Sequence, residues 1–267
     1  MISLQQNSGL PIILNDKGSL EFKPPLEPVL PSVRKISDMR EYLANPKADF
    51  AGEDVYFMYR GVFLPQDKKK FEKLHLRYDL TILKPGLIGK EFVKTIGHFH
   101  PKKPGTETRY PEVYEVISGQ ALFLIQKMDE EFNQINEVYF IEAKETQKAI
   151  IPPGFGHVTC NIGKEPLVMA NWVENSFESI YEPFKKFHGA AYYFTAGKDG
   201  KLEIIPNKNF PSLPEINKLE PRDLSEFGLV KSEPMYKTGQ KSPDMLQFII
   251  SPELYLNKLT IDLCFKK

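Results

Sequence analysis

The sequence predicts an all-β fold: a two-sheet sandwich or barrel with a few short helices and a helical C-terminal extension. Three observations predict it. Short segments rich in β-branched, aromatic and aliphatic residues recur through residues 51–210, at the spacing usual for sandwiches and barrels. Turn-forming stretches separate them: Lys84-Pro85-Gly86, Ser118-Gly119, Pro153-Gly154, Ile162-Gly163-Lys164 and Lys198-Asp199-Gly200. The run Leu167-Val168-Met169-Ala170-Asn171-Trp172-Val173 is almost wholly apolar, as a central strand covered on both faces should be.

The chain divides into three parts. Residues 1–50 are proline-rich and read as an irregular arm. One short helix is expected there over Asp38–Leu43, with Ser37 as N-cap and Pro46 just beyond. Residues 51–210 form the β domain. Its expected strands are Val55–Arg60, Leu76–Leu83, Glu91–His100, Glu112–Ile117, Ala121–Gln126, Val138–Glu142, Ala149–Ile151, His157–Asn161, Leu167–Val173, Ala191–Phe194 and Leu202–Ile205. Residues 211–267 change character. Ser242-Pro243 and Ser251-Pro252 each pair an N-cap with proline at the first helical position, and both precede apolar residues. This part reads as a mostly helical extension packed on the β domain, serving stability or assembly.

A chain of 267 residues is long enough to bury a full core. Lys plus Arg and Asp plus Glu both number 35, so no basic surface is implied and nucleic acid is not the expected partner. Cys160 and Cys264 are the only cysteines, too few for a disulfide framework, and a reducing cytoplasm is the simpler compartment. No segment approaches the roughly 18 continuous apolar residues of a membrane span. The start, Met1-Ile2-Ser3-Leu4-Gln5-Gln6-Asn7, has neither a basic region nor a long apolar one, so no leader is expected. There is no internal repeat.

The chemistry concentrates in three stretches: Gly97-His98-Phe99-His100, Tyr110-Pro111-Glu112-Val113-Tyr114, and Pro152-Pro153-Gly154-Phe155-Gly156-His157. His98 and His100 are two apart and share a strand face. Glu112 opens the next strand, with Tyr114 and Val116 on its face, and His157 opens a later one. A carboxylate directed into an apolar barrel is costly unless a cation offsets its charge. Three imidazoles and a carboxylate suit one divalent ion such as Fe, Zn, Mn, Co or Ni. Other candidates read otherwise. Cys160 alternates away from His157. Glu107, in a loop of Pro, Gly, Thr and Arg, reads as solvated. His75 and His188 read as core residues.

The order HxH, loop, Glu112, six residues to Gly119, then a Pro-Gly turn and a third His resembles the cupin superfamily, a jelly-roll β-sandwich or barrel. The loop Pro101–Pro111 is longer than the general cupin pattern. The resemblance extends further, to the cupin-type, metal-dependent glucose-6-phosphate isomerases found mainly in archaea. It rests on Thr81-Ile82-Leu83-Lys84-Pro85-Gly86, Gly89-Lys90-Glu91-Phe92, Thr95 through His100, Tyr110 through Tyr114, Pro152-Pro153-Gly154 with His157, and Asn161-Ile162-Gly163. Lys35-Ile36-Ser37-Asp38-Met39 and Val55-Tyr56 stand upstream in the same order. It covers roughly residues 33–210 and not the extension.

The resemblance implies interconversion of glucose 6-phosphate and fructose 6-phosphate, a phosphosugar substrate, one metal per subunit, and by analogy a homodimer. It implies His98, His100, Glu112 and His157 as ligands. It implies Thr81, Thr95 and Gly97 at the phosphate, and Tyr56 and Tyr114 along the sugar. One position departs: the chain has Trp172-Val173 where the family pattern leads to a tyrosine. Strict alternation also sets Thr95 and His98 on opposite faces, and a bulge at Gly97 would reconcile them.

These residue types suit aldose–ketose isomerisation, which moves a hydrogen between C1 and C2. A Lewis acid stabilises charge on the adjacent oxygens, and a carboxylate such as Glu112 can carry the proton through an enediol. A hydride shift needs no such base, and the sequence leaves both routes open. Tyr114 is placed to bond a sugar hydroxyl. Two other function classes share parts of the pattern. One is a cupin metal dioxygenase, which would consume oxygen. The other is a sugar-phosphate-binding cupin without turnover.

Overall fold

Strands that are apolar on both faces need cover on both sides, and the chain supplies it by facing two sheets and backing each with further structure. The computed structural model describes residues 1–267. A six-stranded antiparallel sheet runs in the order Lys148–Ile151, Glu112–Ser118, Leu167–Glu174, Leu76–Leu83, Asp54–Tyr59, Ser32–Lys35. A five-stranded sheet runs Phe155–Asn161, Gln120–Met128, Ile135–Lys144, Asn217–Pro221, Phe265–Lys266. Their inner faces meet, with Tyr114 of the first 5.4 Å from Phe123 of the second, ring to ring. This is the predicted β-sandwich.

The corner between the sheets is at Gly119. The strands on either side of it, Glu112–Ser118 and Gln120–Met128, belong to different sheets. Gly119 has φ +93°, and a Cβ there would lie 3.2 Å from the Leu167 backbone, so glycine is required on both counts.

Alternation sorts the central strands. Along Gln120–Met128, Ala121, Phe123 and Ile125 join the main core, while Leu122 and Leu124 join a second cluster on the outer face. That outer cluster includes Phe184, Phe187 and Phe194, from the helix Glu182–Lys186 and the sheet Leu202–Pro206, Tyr192–Ala196, Glu91–Phe92, Leu87–Ile88. Cys160 sits there too, away from His157 as alternation requires.

The outer face of the six-stranded sheet carries Trp172 and Tyr78. Against them lie Phe71 of the helix Pro65–Lys73 and Tyr236 of the helix Met235–Lys241, with ring centroids 4.6 to 6.1 Å apart. The Trp172 indole donates to the Met235 carbonyl at 3.1 Å. Lys148 and Glu115 pair at 2.7 Å in the same layer. Lys148 also donates to the carbonyls of Val230 and Glu233, and Glu115 accepts the Met235 amide. The C-terminal segment is thus bound to the back of the strand that bears Glu112.

Several local expectations change. The arm contains a small sheet, Ile2–Ser3, Ile12–Leu14, Leu20–Phe22, whose Ile12, Leu14 and Leu20 enter the main core. The expected Asp38–Leu43 helix is an α-turn at Ile36–Met39 running into a 3-10 turn at Arg40–Tyr42. Its cap is Lys35 rather than Ser37, because the Asp38 carboxylate accepts the Lys35 amide at 2.9 Å. The expected Glu91–His100 strand is regular only over Glu91–Phe92. Ser242-Pro243 and Ser251-Pro252 do open helical turns with proline first, both of them short 3-10 segments at Pro243–Leu246 and Pro252–Leu254. The extension also adds the strands Asn217–Pro221 and Phe265–Lys266 to the five-stranded sheet.

His75 and His188 are exposed, not core. Each stands just past a helix end with φ +55°, in the left-handed conformation that terminates helices. No helix is long and apolar enough to cross a membrane.

Candidate metal centre

His98, His100, Glu112 and His157 come together, as their spacing predicted, with their ligand atoms within 4.8 Å of one another. Both sheets contribute. Glu112 opens its strand in the six-stranded sheet, and His157 lies on Phe155–Asn161 at the edge of the five-stranded one. The segment carrying His98 and His100 runs along that edge, its backbone exchanging hydrogen bonds between His98 and His157 at 3.0 and 3.3 Å.

This edge contains the bulge that alternation demanded. Lys94 pairs with Cys160, but His98 pairs with His157, so four steps on one side oppose three on the other. The extra residue lets Thr95 and His98 line the same pocket. A Cβ on Gly97 would lie 2.3 Å from the Phe184 ring and 2.6 Å from Val158, so only glycine fits here. Gly97 can therefore offer a ligand only its backbone.

The donor set is prepared for a cation. The Tyr110 carbonyl lies 3.0 Å from His100 Nδ1, which fixes the proton there and leaves Nε2 free to face the cluster. His98 Nε2 and His100 Nε2 are 3.3 Å apart. Adjacent ligands on an ion with bonds of about 2.1 Å are separated by about 3.0–3.4 Å, so this spacing fits a shared metal. His100 Nε2 and His157 Nε2 lie 3.4 and 3.2 Å from Glu112 Oε2. Burial, with the neighbouring imidazoles, pushes His98 well below the usual imidazole range, and burial also lowers His157. Neutral imidazoles are the form that binds metal. Burial would raise the Glu112 carboxyl, but hydrogen bonds and charge from His100 and His157 outweigh it and hold it below its ordinary value.

Glu112 is also gripped from the side. Asn171 Nδ2 donates to Oε1 at 2.6 Å and the Tyr114 hydroxyl donates to Oε2 at 3.0 Å. Burial and the Glu112 charge push the Tyr114 phenol well above its usual value, so it remains a donor.

A pocket opens from the cluster between the sheets. Tyr56, Thr81, Thr95 and Tyr114, all expected beside the substrate, line it together with Asn171 and Tyr181. The Tyr56 hydroxyl accepts the Ile96 amide at 3.2 Å, and Thr95 Oγ1 accepts the Thr159 amide at 3.0 Å. Val173 also lines the pocket, while Trp172 faces away into the packed layer behind. Glu107 is solvated as expected, 91% exposed and paired with Lys102 at 2.6 Å.

Sequence reasoning missed Asn171, Tyr181 and Arg34 on this wall. Asn171 had a signal, as the one amide in an apolar central strand. Tyr181 follows an irregular stretch with no period to read. Arg34 sits on a short edge strand in a segment read as irregular.

Residues 33–209 match the family model described as Glucose-6-phosphate isomerase (GPI). The chain is 30% identical over 180 residues to the glucose-6-phosphate isomerase of Pyrococcus furiosus, covering 67% of this chain and 82% of the relative. It is likewise 30% identical over 180 residues to that of Thermococcus litoralis, covering 67% and 81%. Among solved structures, an oxalate decarboxylase of Lactobacillus farciminis aligns with TM-score 0.35 and 18% identity, over 49% of this chain and 32% of that one. An oxalate oxidase aligns with TM-score 0.37 and 17% identity, over 53% and 62%. On the family match and these relatives, the chain belongs to the glucose-6-phosphate isomerase family.

Proposed function

We propose that this chain is a metal-dependent aldose–ketose isomerase that interconverts glucose 6-phosphate and fructose 6-phosphate, a cytoplasmic step of glycolysis and gluconeogenesis. The observation that carries the reading is the cluster of three imidazoles and one carboxylate, buried but for a half-buried His98, at the end of a polar pocket in a chain of this family. His98, His100, Glu112 and His157 would hold one divalent ion, which when bound supplies Lewis acidity to neighbouring sugar oxygens. Tyr56, Thr81, Thr95 and the Gly97 backbone orient the substrate, with the phosphate fixing its position away from the reacting carbons.

Glu112 carries the proton between C1 and C2. Two other carboxylates line the pocket, Asp79, whose two oxygens share the Arg77 Nε–H at 2.9 and 3.0 Å, and Glu174, which accepts from Ser176. Of the three, Glu112 alone lies among the imidazoles, where the ion and the reacting carbons would be. Asn171 and Tyr114 hold its two oxygens in a fixed plane, which suits transfer between adjacent carbons on one face of a planar intermediate. With its O–H donated to Glu112, the Tyr114 oxygen is left to accept a hydrogen bond from a sugar hydroxyl.

The test is a coupled assay for glucose 6-phosphate formed from fructose 6-phosphate, before and after chelation. Activity that disappears with the metal and returns on reloading supports the reading. Oxygen consumption without isomerisation, or binding without turnover, refutes it.

A further inference from the structure

We propose that Arg34 is the cationic anchor for the substrate's phosphate, a role that rests on the phosphosugar reading above. The uncharged donors at Thr81, Thr95 and Gly97 can position a phosphate, but they cannot balance its two charges. The pocket wall supplies a cation in the right place. Arg34 lies on the edge strand Ser32–Lys35, directly opposite Tyr56 in the antiparallel register, so both side chains rise from the same face. Its guanidinium carbon is 6.0 Å from the centre of the Tyr56 ring. Tyr56 in turn accepts the Ile96 amide, next to Thr95. Arg34, Tyr56 and Thr95 therefore form one corner of the pocket.

What distinguishes Arg34 is that it is half-buried in the pocket wall with no carboxylate paired to it, its nearest polar neighbours being the phenols of Tyr56 and Tyr181. Its Nε is buried without a hydrogen-bond partner, and no carboxylate lies within 4 Å of the side chain. Two other arginines line the pocket: Arg77 is neutralised by Asp79 at 2.9 Å, and Arg60 is exposed at the rim, donating to the Ser32 hydroxyl at 3.1 Å. An unpaired, half-buried guanidinium is costly to keep. A dianionic phosphate would remove that cost, because the planar fork matches two phosphate oxygens and the buried Nε is one arm of the fork. The aromatic face of Tyr56 holds the guanidinium plane in place.

The variants are Arg34→Gln and Arg34→Lys, with Lys35→Gln as the control. Lys35 is the next residue on the same strand, exposed and paired with Glu53 at 3.1 Å, so its loss removes the same charge from outside the pocket. Calorimetric titration with inorganic phosphate and with fructose 6-phosphate is run beside steady-state kinetics. Arg34→Gln should weaken both ligands by roughly 10- to 100-fold, the range of a charge-assisted pair, and the kinetic loss should fall on KM. Arg34→Lys should fall between, because it keeps the charge and loses the fork. Lys35→Gln should bind like wild type, and none of the three should lower the unfolding midpoint of the ligand-free protein, which Arg34→Gln should if anything raise by removing the unpaired charge. Unchanged phosphate affinity in Arg34→Gln, or an equal loss in Lys35→Gln, overturns the role of Arg34 even if the enzyme turns over normally. Absence of turnover in wild type refutes the isomerase reading, and the calorimetry then still decides whether Arg34 holds a phosphate. A wild type that binds neither ligand overturns the role outright.

Discussion

Glu112 receives hydrogen bonds from Asn171 and Tyr114 while two imidazoles stand 3.2 and 3.4 Å from it, and in the proposed function this one carboxylate serves both the ion and the proton. Replacing it by Gln keeps its size and one oxygen but removes its basicity. Glu112→Gln, reloaded with excess metal, should lose roughly a hundred- to ten-thousand-fold in kcat. Near-normal turnover in the metal-loaded variant would leave Glu112 as a ligand only. Deuterium at C2 reads the same step: loss of label to water marks proton transfer, and full retention at C1 speaks for a hydride shift. At His157, replacement by Ala removes one of four donors from a strand whose neighbours Val158 and Phe155 stay packed. Metal affinity should fall by about a hundredfold or more while the unfolding transition remains cooperative. Elemental analysis after dialysis checks this, and wild-type metal content would assign His157 to packing.

The elements behind the site make its geometry rigid. Lys148 and Glu115 are an ion pair with almost no exposure, and they tie the strand of Glu112 to the C-terminal segment through Val230, Glu233 and Met235. Lys148→Met should cost about 3–5 kcal/mol, because it strands a buried carboxylate, and pairing it with Glu115→Gln should recover part of that loss. Urea unfolding of the single and double variants measures both. Gly239 tests the same joint from the other side, since a Cβ there would lie 2.8 Å from the Trp172 ring. Gly239→Val should lower stability by about 1–3 kcal/mol without altering metal content. Elements of this kind were unevenly legible in the sequence. Strands with a clear period, such as Leu76–Leu83, matched residue for residue, because both faces of that strand are buried and its turns are explicit. The edge at Thr95–His98 could be inferred only as a conflict, where the face needed for chemistry disagreed with alternation, and the bulge resolves it. The arm's sheet, with strands of two and three residues, is too short for any period and forms because its Leu and Ile side chains reach the main core. The Pro65–Lys73 helix did carry a signal, with proline first, Asp67 in the first turn and lysines in the last, but its period is masked by a run of charge.

At the scale of the whole molecule, the two sheets act as a clamp. One supplies the carboxylate with Asn171 and Tyr114, the other the imidazole of His157, with the bulged edge segment adding His98 and His100. The four candidate ligands were legible because their order along the chain is a pattern in itself. The rest of the pocket wall was less legible: Asn171 stood out as the one amide in its strand but its bond to Glu112 was not foreseen, and Tyr181 and Arg34 gain meaning only once the chain is folded around the pocket. A β scaffold that packs through its apolar faces should survive loss of the ion. The chelated protein should therefore keep its fold and its ability to bind inorganic phosphate while losing catalysis.

The most direct measurement is turnover of fructose 6-phosphate by the purified chain, followed by exhaustive chelation and stepwise return of one divalent metal with elemental analysis at each step. Activity should vanish with the metal and rise in proportion to its content, saturating at one ion per chain. Full activity in protein shown to be metal-free would contradict the account.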